Sequence, residues 1–293
     1  MSATTLNKPE AVPQYGGQAL IEGVMMRGRD HVAVAVRRPD GQIVVHEQKL
    51  HTLGLKIPLL RGLAALFESL TIGTRALMWS AQVNAGFTET TFEEMPGGTL
   101  TTLGSLGMSA ALMFAAPAIG SNWIEKRLGI KQPLLANLLE GAVRLAIVAG
   151  YITAVAQTRE GHRLFQYHGA EHKTINAYEA GAPLTPESVK QFPLEHPRCG
   201  TAFLFTVVLI NVLVNSLMGR PPLMIRVLLR LLLLPVIAGL AYEFIRFTAQ
   251  HMDDPLVRVL IAPNLAMQRL TTREPDLKML EVSIAALESV LSR

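Results

Sequence analysis

The chain has 293 residues, a formal net charge of +4 and a single cysteine, with 49% hydrophobic and only 17% charged residues. Its mean hydropathy is +0.30. That balance excludes a disordered chain, and one cysteine excludes an intrachain disulfide framework or a multi-cysteine zinc module. A pI near 9.3 does not point to nucleic acid, because +4 spread over this length is a weak field; basic residues in an apolar chain flank membrane spans.

Residues 1–15 are polar, hold two prolines and lack the apolar stretch of a secretory signal. Tyr15–Gly28 carries four glycines in 14 residues, which predicts tight turns or close backbone approach. Glu22 and Arg27 in this stretch are candidate site residues or partners in a local ion pair. Val32–Arg38 and Gln42–Glu47 are β-branched runs around Pro39-Asp40-Gly41, a hairpin signal. His46 and His51 flank the second run and are expected to be exposed. Ile57–Ala81 reads as a helix whose Arg61, Glu68 and Arg75 form one polar stripe. It is expected to lie in the membrane interface or against the bundle rather than to span. Met95–Gly98 reads as a linker.

About 20 apolar residues cross a bilayer as a helix. Leu103–Trp123, Leu134–Ala156, Thr201–Met218 and Leu223–Phe247 meet that requirement, which predicts four spans. The cationic side chains Lys126, Arg127, Lys131 and Arg220 fall on one side, and most of the others fall on the opposite one. The positive-inside rule therefore places the N-terminal region, the 157–200 loop and the C-terminal tail in the cytosol. Within the second span Glu140 and Arg144 are an i,i+4 pair, and Asn211 and Asn215 in the third suit helix–helix hydrogen bonds. After Arg273-Glu274-Pro275-Asp276, apolar residues at 277, 280, 284, 287 and 291 predict an amphipathic helix that docks on the chain's own core or on a second copy.

The expected fold is mainly α and membrane-embedded, with an N-terminal β-hairpin region. Three parts follow: 1–100, cytosolic; 101–250, the four spans with their cytosolic loop; and 251–293, a cytosolic helical tail.

The chemistry concentrates in Tyr167-His168-Gly169-Ala170-Glu171-His172-Lys173. On a helix His168 and His172 share a face and can hold one divalent ion, zinc above all, while Glu171 can act as general base. A third ligand is required. Glu243, in the last span, is the leading candidate because an unpaired carboxylate there is expensive and its position along the helix brings it to the same face as the 157–200 loop. Glu179 is the competitor. Glu195-His196-Pro197-Arg198-Cys199-Gly200 stands before the third span; His196 and Cys199 could ligate, and Cys199 could serve as a nucleophile. The alternatives are a membrane-entry turn there and, for the histidines, helix capping or lipid-phosphate contacts.

The blocks YGGQALIEGVMMRG (15–28), FQYHGAEHKTINAYEAG (165–181), HPRCGTAFL (196–204) and LPVIAGLAYEFIR (234–246) resemble the YqhQ-like family of bacterial membrane proteins. The resemblance runs from about Gln14 to the C-terminal helix. The family is uncharacterised and is sometimes described as predicted metal-dependent enzymes. By position the resemblance implies Glu22, His168, Glu171, His172, His196, Arg198, Cys199 and Glu243 as its characteristic polar residues. The reading is a cytoplasmic-membrane, metal-dependent hydrolase acting on a peptide or lipid-linked bond. Its rivals are a scaffold recruiting a cytosolic protein partner, with homo-oligomerisation open, and a transporter; nucleic acid is not an expected partner.

Overall fold

The computed structural model describes residues 15–50, 57–87, 116–219 and 222–292, with the single positions 55, 92 and 104. Four strands, β1 (Gly16–Leu20), β2 (Gly23–Arg27), β3 (His31–Arg37) and β4 (Ile43–Lys49), form an antiparallel meander in chain order. Both expected turn regions are hairpins. Arg37 lies opposite Ile43 across Pro39–Gly41, and Gly41 takes a φ of +89° that disfavours side chains. The glycine-rich stretch folds into β1–β2, yet the left-handed residue of its turn is Glu22, φ +50°. Its carboxylate is fixed by Arg163 and by the Tyr167 hydroxyl at 3.2 Å. Arg27 does not pair with it, as expected locally, but with Glu68 at 2.7 Å.

β3 is buried on both faces, so the sheet is the middle of three layers. Val32, Val34 and Val36 face helix α1 (Leu60–Asn84), packing with Ala76, Trp79 and Val83. The expected helix over 57–81 is thus a cover for the sheet, while Leu60, Phe67, Leu70 and Leu77 remain exposed. His46 lies inside β4 and stacks on Phe92 at 4.7 Å instead of standing in solvent. His51 is outside the described residues.

Ala33 and Ala35 face the other core. Further along the chain come α2 (Ala116–Leu128), α3 (Pro133–Gln157), α4 (Arg159–Glu179), the single turn α5 (Pro186–Val189), α6 (Gly200–Met218), α7 (Leu223–Gln250), α8 (Pro255–Thr271) and α9 (Leu277–Leu291). α4 and α9 close the second core with Tyr167, Ile175, Leu280 and Leu287. α9 starts where Asp276 caps it, accepting the Met279 N–H at 2.8 Å, and it docks on the chain's own sheet. This core draws on all three expected parts of the chain.

α3, α6 and the Leu232–Gln250 part of α7 are long and apolar enough to cross a membrane. The expected first span, 103–123, lies outside the described residues except for Gly104 and its C-terminal end, which opens α2; residues 1–14 and the linker at 95–98 are also outside them. α3 and α6 meet at Gly141, whose missing side chain makes room for Val212. Beside it Arg144 donates to Glu140 at 3.1 Å and to Asn211 at 2.6 Å, and Asn215 donates to Asn211 at 2.8 Å. The pair expected from sequence is therefore tied into a buried network.

Truncating Glu140 to Ala removes one carboxylate acceptor from a buried guanidinium and is expected to destabilise the protein by about 3 kcal/mol, whereas replacing Glu140 and Arg144 together by Met and Leu costs less. Thermal unfolding in detergent measures both; equal losses would show that the charge pair does not set the cost.

Candidate metal centre

α4 starts at Thr158, whose hydroxyl accepts the Gly161 N–H at 3.0 Å. Its sequence is polar, yet residues 169–175 are all buried. The sheet and α9 cover one side, and the 185–199 segment covers the other. Lys173 holds that segment by donating to the carbonyls of Lys190 and Phe192 at 2.8 and 2.7 Å.

His168 Nδ1 lies 2.8 Å from the Thr271 carbonyl oxygen, and His172 Nδ1 contacts the Leu194 carbonyl oxygen. A carbonyl only accepts, so each ring carries a proton on Nδ1, and in its neutral form has its lone pair on Nε2. His168 Nε2 is 3.1 Å from Cys199 Sγ. His172 Nε2 is buried, has no hydrogen-bond partner and lies 3.5 Å from Glu171 Oε2. One donor atom from each of His168, His172 and Cys199 lies within 4.8 Å of the other two. Anchoring of the far ring nitrogen by a carbonyl is the usual support of a metal-binding imidazole, so the residues fit an ion. Cys199 is the N-cap of α6, its sulfur 3.4 Å from the Thr201 N–H.

Glu171 is fully enclosed. Burial pushes its carboxyl above the ordinary range, against the pull of His168, His196 and the Gly17 amide. A Cβ on Gly17 would stand 2.7 Å from Glu171 Cγ, so the glycine is required for β1 to reach the carboxylate.

An outer set adjoins this group. Arg198 pairs with Glu179 and donates to the Tyr15 carbonyl at 3.3 Å. His196 Nε2 is 3.7 Å from Glu179, and its ring centroid is 5.7 Å from that of His172. Burial pushes the His196 imidazole down; burial acts upward on Glu179, but His196 and Arg198 together hold that carboxyl below its ordinary value. Gln268 fixes His196 by accepting its N–H at 2.9 Å and donating to its carbonyl at 2.8 Å. Gln268, Thr271 and Leu194 were not visible as site residues in the sequence; nothing in their spacing marks them.

Glu243 is not in the donor group. Arg61 engages both its oxygens, through Nε at 2.7 Å and through Nη2, and the Leu59 N–H lies at 3.4 Å. Glu22 is likewise occupied by Arg163 and Tyr167. The centre has an open side: His168 lines a cleft of about 730 Å3 together with β1, Phe165, Leu204 and Thr271.

Comparison with known proteins adds a family and no activity. The family described as "Protein of unknown function (DUF1385)" matches residues 57–293, and the chain belongs to it. It is 34% identical over 302 residues to the uncharacterized protein YqhQ of Bacillus subtilis (strain 168), covering 98% of this chain and 95% of that protein. No solved structure matches the chain.

The tautomers are directly observable. In metal-free, 15N-histidine-labelled protein at pH 8, His168 and His172 are expected to show a protonated Nδ1 and a bare Nε2 in long-range 1H–15N spectra. Protonation at Nε2 would remove the two lone pairs from the centre.

Proposed function

We propose that the chain is a cytoplasmic-membrane hydrolase whose divalent ion, zinc by its donor set, is held by His168, His172 and Cys199 at the cytosolic face. The observation that carries this reading is His172 Nε2, buried without a hydrogen-bond partner in a group where one donor atom from each of His168, His172 and Cys199 lies within 4.8 Å of the other two. A buried acceptor left unsatisfied costs about 1–3 kcal/mol, and an ion removes that cost. Nitrogen and sulfur donors together favour zinc over magnesium or calcium. When bound, the ion supplies Lewis acidity to the electrophile and lowers the pKa of water.

Glu171 is the general base. Hydrolysis adds the hydroxyl of water to the acyl or phosphoryl centre and its proton to the leaving atom. Glu171 takes that proton and returns it to the leaving group. Burial raises its pKa, which favours its taking up the proton that it later returns. Glu179 and Arg198 hold neutral His196 against the centre from the other side.

Packing supports the membrane topology expected from the sequence. A single core cannot straddle a bilayer, and β2 and β3, α4 and α9 share one. An even number of crossings must therefore separate them. α6 and α7 supply two between α4 and α9. Between the sheet and α4 the described residues offer only α3, since α1 is committed to the sheet. The apolar 103–123 run of the sequence is our candidate for the second crossing, and the positive-inside count is what puts the side holding the sheet, α4 and α9 in the cytosol.

Protein purified in detergent is expected to carry about one equivalent of zinc. His172→Ala and Cys199→Ser should lower it below a tenth, and Glu171→Gln should keep the metal while losing about 10²- to 10⁴-fold in turnover. Metal analysis that finds no zinc, iron or manganese in the wild type would end this reading.

Orientation is tested separately, by a membrane-impermeant maleimide on intact cells in a Cys199→Ser background. Gly129→Cys is expected to be labelled and Glu187→Cys protected; the reverse pattern would invert the protein.

A further inference from the structure

β1 is the terminal strand of its sheet, hydrogen-bonded on one side to β2 and on the other to no strand among the described residues. Leu20 and Gly23 close the two-residue turn, so Leu20, Gln18 and Gly16 exchange hydrogen bonds with β2. Alternation then turns the N–H and C=O of Gly17 and Ala19 outward. The Gly17 amide agrees, since it donates to the Glu171 carboxylate. The same edge meets open space: every residue from Tyr15 to Ala19 lines the cleft of about 730 Å3, whose far wall includes Phe165, His168 and Leu204.

From this we infer that the cleft takes an extended peptide segment, added to the edge of β1 as a further strand. The inference rests on the hydrolase reading for its chemistry and names the substrate class of that site. Three features select a peptide. Outward amide and carbonyl groups on an edge strand are the template for strand addition. Gly16 carries no side chain, and a Cβ there would meet nothing within 4 Å, so the strand is open at that position. The edge also leads to the reactive groups: a segment paired with Ala19 is directed toward Gly17, whose outward N–H the Glu171 carboxylate already accepts, and His168 borders the same space.

Five strand residues span about 17 Å, so the cleft covers roughly five residues of substrate, within the usual volume range of ligand sites. A lipid chain would fill the apolar wall but leave the Ala19 N–H and C=O without partners. Main-chain pairing reads no side chains, so recognition along this edge tolerates sequence.

That tolerance fixes the probe, a degenerate fluorescein-labelled nonapeptide library added to the full-length protein in detergent. Fluorescence anisotropy should report saturable binding, and hydrogen exchange should show the Ala19 amide slowed about tenfold or more. The same library with alternate N-methylated residues should bind at least tenfold more weakly to the wild-type protein, a measurement that needs no variant. Ala19→Pro removes the outward N–H and should weaken library binding about tenfold while zinc content stays at the wild-type level. Binding without cleavage would sink the hydrolase reading and leave the groove standing. Equal binding of the N-methylated library, unchanged exchange at Ala19, or protection of Ala19 by phosphatidylglycerol micelles and not by peptides would overturn the inference.

Discussion

Two backbone carbonyls fix the paired imidazoles of α4. The oxygens of Thr271 and Leu194 claim the Nδ1 protons of His168 and His172, and that leaves two lone pairs on the same side of α4. Neither carbonyl lies near the histidines in sequence. Thr271 is the last residue of α8, and Leu194 lies in the segment that Lys173 clasps against α4. The chemistry of α4 therefore depends on the docking of two distant pieces of chain. A helix of this composition would be unstable alone. It is held because the sheet and α9 cover one side and the 185–199 segment covers the other.

That dependence links the centre to the membrane part. α6 begins at Cys199, and the residue that caps a membrane-length helix is the one that brings sulfur to the histidines. α8 packs against α6 and carries both Gln268, which fixes His196, and Thr271, which fixes His168. A shift of α6 or α8 along its axis would move a donor or a hydrogen-bond acceptor of the centre. The buried Arg144–Glu140–Asn211 network locks α3 against α6 on the membrane side. It sets the register of the same helix that delivers Cys199.

Much of this was legible in the sequence. The 3.6-residue period puts His168 and His172 on one face. Alternating β-branched runs around Pro39-Asp40-Gly41 give β3 and β4, and Asp276 marks the start of α9. What could not be read is which distant groups would meet. Glu243 was favoured because an intramembrane acid without a partner is costly; Arg61, 182 residues away in sequence, supplies the partner. Arg61, Glu68 and Arg75 read as one polar stripe on a helix at the interface or against the bundle, and Arg61 and Glu68 pair with other elements. Glu22 shows the same limit. Glycine is the expected left-handed residue in a tight turn, but here a glutamate accepts that backbone cost, about 1–2 kcal/mol, because Arg163 and Tyr167 bind its side chain. Hydrophobic periodicity reports what each element buries, whereas ion-pair partners are set by tertiary contacts that no local pattern encodes.

The difference between Glu171 and Glu243 also separates their roles. Glu243 is partly exposed and its guanidinium partner engages both oxygens, so its charge is settled and it fastens α7 to the start of α1. Glu171 is enclosed, with one backbone amide and the rings of His168 and His196 as its neighbours, and burial raises its pKa. A carboxylate with a dedicated cation has little tendency to accept a proton; one held at a raised pKa beside bare imidazole nitrogens does. The acid of α7 is therefore tied to Arg61 and the start of α1, and the general base of our proposal is the acid between the two histidines.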